Sequence, residues 1–103
     1  MNINIRLKKL ATEWKRNRKP TSFVEQMIQC PHYQEIIEIS KISYANKEQV
    51  ILFILMELQT DLDHWFFALT ELTGENPIDE QSRGKLPAMA NCWLKWGEEK
   101  GYI

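Results

Sequence analysis

DHWFFALTELTG, Asp63 to Gly74, sets Trp65, Phe66, Phe67, Leu69 and Leu72 within three helical turns, and CWLKWG, Cys92 to Gly97, adds Trp93, Leu94 and Trp96 some twenty residues later. Trp65, Leu69 and Leu72 lie at offsets of four and three, so they share one face of a helix. Trp93 and Trp96 offer a matching apolar surface. The pair of segments predicts a helical core, in which Phe66 and Phe67 broaden the apolar stripe beyond what one packing partner covers. Those two phenylalanines are the candidate partner-binding shoulder.

Working outward, Gly74 reads as the residue that ends this helix in the left-handed conformation, and Asp61 or Asp63 as the cap that opens it at about residue 63. Upstream, Val50, Ile51, Ile54, Leu55 and Leu58 form a stripe in a helix over about 47–59. A strand over Val50–Met56 is the rival, disfavoured by the helix-forming flanks. Asn46, with Gln49 three positions on, predicts a capping box for this helix. Ile39–Tyr44 shows no consistent period and is read as a turn. Pro31 suits the first turn of a short helix bearing Tyr33, Ile36 and Ile37, and Ser22 with Glu25 reads as a capping box for another over about 23–29. Downstream, residues 75–85 form a loop rich in turn formers, and Pro87 opens a last helix that ends around Gly97 to Gly101.

The N-terminal segment has a different character. Leu7, Leu10, Ala11 and Trp14 follow helical spacing over about 4–17, with Pro20 as the stop. Residues 1–20 hold Arg6, Lys8, Lys9, Lys15, Arg16, Arg18 and Lys19 against Glu13 alone, in a chain whose net charge is -1. These seven cations are the candidate site for an acidic partner or for nucleic acid. Trp14 beside Lys15 could stack on a base, but its place on the Leu7 and Leu10 face favours core packing.

The 103 residues suit one domain, 1–103, divided into a basic amphipathic helix at 1–19 and a helical core at 20–103. With 44% hydrophobic and 26% charged residues, the composition is that of a globular chain. The apolar run Val50–Met56 falls far short of the ~20 residues a membrane-spanning helix needs, and MNINIRLKKL lacks a secretory apolar region. The cytoplasm is the expected compartment, with Cys30 and Cys92 as free, buried thiols.

Ile36–Leu58, HWFFALTELTGENP and WLKWG together resemble HEAT-like helical repeats of bacterial proteins. More narrowly, the chain resembles a group of small bacterial proteins of undefined function with Pro and Tyr ahead of paired isoleucines, then W-F-x-A-L, T-G-E-N-P and W-L-x-W-G. Pro31, Tyr33, Ile36, Ile37, Trp65, Phe66, Ala68, Leu69, Thr73 to Pro77, Trp93, Leu94, Trp96 and Gly97 carry that likeness, which covers roughly residues 23–103. It implies an all-α bundle of five to six helices with a HEAT-like antiparallel pair, and no catalytic residues.

Chemistry-bearing residues are sparse. Cys30, His32, His64 and Cys92 have the wrong spacing for zinc, and Cys30 shows no activating cation for nucleophilic work. Glu57, Asp61 and Asp63 form an acidic cluster best explained by capping and solvation, and Thr73–Pro77 lacks the glycines and lysine of a phosphate loop. No catalytic residue, cofactor or metal is predicted. The expectation is a non-enzymatic protein-interaction module, the small partner of a bacterial toxin or defence-type pair; the alternative is a nucleic-acid-binding protein using the basic helix.

Overall fold

The computed structural model describes residues 3–17 and 24–103, the side chain of Val24 excepted. The expected stop at Pro20, the Ser22 cap and the Phe23 contribution lie outside the described residues. Six α-helices and one 3₁₀ turn are found among them, and the chain divides into two units, Met1–Val50 and Ile51–Ile103. The boundary falls inside a helix.

In the first unit, α1 (Ile3–Asn17) buries Leu7, Leu10, Ala11 and Trp14, the four residues whose spacing predicts its inner face. It packs against α3 (Pro31–Ser40), as does the short α2 (Val24–Ile28). Trp14 holds the three together. Its indole N–H donates to the Met27 carbonyl at 2.9 Å in the interior, and its ring meets Tyr33 with centroids 4.9 Å apart. Gln34 Nε2 adds a second tie from α3 by donating to the Ile28 carbonyl at 2.6 Å.

α3 runs further than the apolar spacing suggests, so residues expected in a turn are helical through Ser40. Ser40 disguises the period. It occupies a buried position four residues after Ile36, where its hydroxyl donates back to the Ile37 carbonyl and so loses no hydrogen bond on burial. The turn contracts to residues 41–43, and α4 opens at Tyr44 and runs to Thr60. Its cap is Ser43 rather than Asn46: the Ser43 hydroxyl accepts from the Asn46 amide at 3.1 Å. Asn46 and Gln49, expected as a capping box, reach elsewhere. Asn46 Nδ2 donates to the Ile39 carbonyl at 3.4 Å and Gln49 Nε2 to Asn4 Oδ1 at 2.6 Å.

The second unit holds the rest of α4, then α5 (Phe66–Thr73), a 3₁₀ turn (Glu80–Ser82) and α6 (Leu86–Glu99). Trp65, Leu69, Leu72, Trp93 and Trp96 are all buried, as their shared helical spacing requires. The helical reading of Val50–Met56 holds, with Ile54 and Leu55 fully buried. Gly74 has φ 70° and donates its amide to the Thr70 carbonyl at 2.8 Å, which closes α5 as expected.

One other expectation in this unit is corrected. α5 starts at Phe66 with no side-chain cap, because the Asp63 carboxylate accepts from its neighbour His64 N at 2.8 Å in a turn ahead of the helix. Gly97 lies inside α6, where a Cβ would stand 2.8 Å from Leu55 Cδ1. It is a close-approach residue, and Gly101, with φ 85°, carries the left-handed exit, so that α6 ends at Glu99, within the expected Gly97 to Gly101. In the loop, Asp79 caps the 3₁₀ turn by accepting from Ser82 N at 2.8 Å. Hydrogen bonds from Ser82 hold its carboxyl below the ordinary carboxylate value.

Candidate partner-binding face

The outer side of α1 follows from its inner one. With Leu7, Leu10, Ala11 and Trp14 turned inward, the helical period places Lys8, Lys9, Thr12 and Arg16 on the exposed surface. Asn4, Ile5 and Glu13 complete the lining of a shallow groove along this ridge. Ile5 is 67% exposed, an apolar side chain set among cations. The side chains of Lys9 and Arg16 form no hydrogen bond or ion pair with another described residue. Lys15 and Arg16 also lie in the last turn of α1, where positive charge complements the negative end of the helix dipole.

The seven predicted cations are not equivalent. Arg6 Nη2 stands 2.8 Å from Glu35 Oε2 on α3, so its charge is largely matched by a neighbour. Arg18 and Lys19 lie outside the described residues. Trp14 is fully buried, which removes the stacking platform a single-stranded base would use.

Beside the ridge, α1 and α3 enclose a second groove of ≈ 590 Å³, lined by Ile5, Arg6, Lys9, Leu10, Glu13, His32 and Glu35. Its walls mix both signs of charge with apolar surface. At its edge, His32 Nε2 lies 4.0 Å from Glu13 Oε2, and His32 Nδ1 lies 3.5 Å from Cys30 Sγ. Sequence spacing alone offers Cys30 no activating cation, yet helix geometry sets an imidazole beside its sulfur. Cys30 is the residue before α3 and His32 falls in its first turn, so the two side chains meet. The signal was a cysteine placed just ahead of an expected helix start, with a histidine two positions on.

Both cysteines are free and half-buried rather than buried. Cys92 Sγ donates to Ser82 Oγ at 3.6 Å. Among the described residues, no group of three or more His, Cys, Asp and Glu is placed to hold a metal ion. Within the acidic cluster, Asp61 is exposed, but Glu57 and Asp63 are buried, so solvation does not account for them.

On the second unit, the expected phenylalanine shoulder divides. Phe66 is 8% exposed and belongs to the core, whereas Phe67 is 39% exposed. Met56, on α4, and Leu62, between α4 and α5, are also large apolar side chains exposed on this unit. No described helix is long and apolar enough to cross a membrane.

Comparison with protein-family models, curated proteins and solved structures found no match to this chain.

Proposed function

We propose that the chain is a non-enzymatic interaction module that docks an acidic protein surface on the outer ridge of α1. The observation that carries this reading is the combination of Lys8, Lys9 and Arg16 with the exposed Ile5 on one helix face. A protein partner offers carboxylates for the cations and apolar contact for the isoleucine, whereas a phosphate backbone answers the cations alone. Two further facts weigh against nucleic acid. Arg6 is matched by Glu35, and Glu13 and Glu35 place negative charge in the adjoining groove.

The HEAT-like pairing of α4 with α5 is part of the same proposal. It is supported by the edge-on contact of Phe53, on α4, with Trp65 at the start of α5, at 6.5 Å and 83° between ring planes. Phe67 is the candidate for a second contact on that part of the chain.

The test is charge reversal. Tagged wild-type chain and a K8E/K9E/R16E variant are compared for stoichiometric companions from native extract, and for binding to duplex DNA and single-stranded RNA by fluorescence anisotropy. The expected outcome is one protein companion that the variant loses, with no saturable nucleic-acid binding. A companion retained by the variant, or tight nucleic-acid binding abolished by it, overturns the reading.

A further inference from the structure

The Cys30, His32 and Glu13 side chains form a constellation that the docking ridge does not use. Cys30 precedes α3, and its carbonyl accepts from Gln34 N at 3.1 Å, but its sulfur makes no cap to the helix amides. The sulfur instead faces His32 Nδ1 at 3.5 Å. On the other side of the ring, Nε2 faces Glu13 Oε2 at 4.0 Å, at the outer edge of ion-pair distance and beyond hydrogen-bond reach. Glu13 is itself positioned on α1, since Asn17 Nδ2 donates to the same Oε2 at 3.2 Å. Thiol, imidazole and carboxylate therefore follow one another from α3 to α1.

We propose that Cys30 is a modification site, a thiol reactive toward peroxides and soft electrophiles for which the adjacent His32 serves as the base, with Glu13 as a positioning residue. The thiolate is the nucleophilic form of cysteine, and an adjacent base is what supplies it at neutral pH. With the ring proton on Nε2 toward Glu13, the Nδ1 lone pair points at the sulfur and takes its proton. In the peroxide reaction the thiolate sulfur attacks one peroxide oxygen and the O–O bond breaks. The departing hydroxide takes the proton from the imidazolium and leaves as water. Sulfur is oxidised by two electrons to the sulfenic acid, and the peroxide is reduced by two. Both Cys30 and His32 are half-buried, so small reagents reach them.

The molecule contains its own control. Cys92 is also free and half-buried, but its partner is the Ser82 hydroxyl, which cannot act as a base at neutral pH. The two thiols thus differ in chemistry more than in access.

The experiment treats the intact folded chain with substoichiometric iodoacetamide, and in parallel with hydrogen peroxide followed by dimedone, and reads each cysteine by peptide mass spectrometry. Cys30 is expected to be alkylated at least about tenfold faster than Cys92, in keeping with the effect of a positioned base, and to carry the dimedone adduct. H32Q should bring Cys30 down to the Cys92 rate without lowering the melting temperature. E13Q should lower the Cys30 rate part-way, with recovery in E13D. Equal rates for the two thiols in the unaltered chain overturn the proposal, as does a Cys30 lead that survives in H32Q. Should H32Q fail to fold, the ratio in the unaltered chain together with E13Q decides the matter.

Discussion

Gly97 illustrates how a single residue is fixed by its surroundings rather than by its own conformation. An added methyl would stand 2.8 Å from Leu55 Cδ1 and 3.4 Å from Ile103 Cδ1. Leu55 is fully buried and has little room to retreat. Overpacking of this kind costs about 1–3 kcal/mol, while replacing a mid-helix glycine by alanine returns about 1 kcal/mol of helix propensity. G97A is therefore expected to destabilise by about 1 kcal/mol net, seen as a lower urea midpoint with an unchanged slope. A higher midpoint would mean that Leu55 moves aside freely. The sequence could not reveal this role, because a glycine near a helix end looks the same whether it terminates the helix or admits a neighbour. Ser40 was hidden for a related reason: a polar residue in the apolar stripe breaks the pattern, although its back-bonded hydroxyl is content inside. By contrast, the burial of Trp65, Leu69, Leu72, Trp93 and Trp96 was legible, since large apolar side chains at helical spacing have few other solutions.

At the scale of elements, the helices were legible, as were the starts marked by Pro31 and Pro87, but the side-chain caps were not. Amphipathic spacing located α1, α4, α5 and α6, because the period persists over several turns. Caps depend on one side chain meeting one amide, and Ser43, Asn46 and Asp63 are all chemically able to do it. Only the geometry selects Ser43. S43A should cost about 0.5–2 kcal/mol through the lost cap, and N46A less, because its 3.4 Å bond to the Ile39 carbonyl is long. Urea denaturation of both variants tests the order, and a larger loss in N46A would restore Asn46 as the cap. The candidate thiol site was illegible for the same reason. It joins a residue just before one helix to the first turn of that helix and the side of another, a relation that linear spacing does not encode.

For the molecule as a whole, charge is divided between the two units. Met1–Val50 contains nine basic and five acidic residues, and Ile51–Ile103 contains four basic and nine acidic. That asymmetry was fully legible, being a matter of counting; the boundary between units was not, because the apolar stripe of α4 continues through it without a break. If the basic unit meets an acidic partner, its association rate should fall steeply between about 50 mM and about 500 mM salt, since screening shortens the reach of charge from roughly 10 Å at 0.1 M to roughly 3 Å at 1 M. Dissociation should change less. Stopped-flow mixing measures both, and a salt-independent association rate would assign recognition to the apolar contacts of Ile5 or Phe67 instead.

The aromatic arrangement in the second unit also bears on how this protein is to be observed. Trp93 and Trp96 meet edge-on at 5.3 Å, and Trp96 stacks on Tyr102 at 5.5 Å. Chromophores this close share their excited states, so they add rotational strength to the far-ultraviolet circular dichroism alongside the helical backbone. A helix content read from that spectrum will carry an aromatic error, and its loss on heating will report the indole pair as well as the fold. Trp14, the one tryptophan of the first unit, stands outside this pair, so a chain keeping only that indole would let fluorescence follow the basic unit by itself.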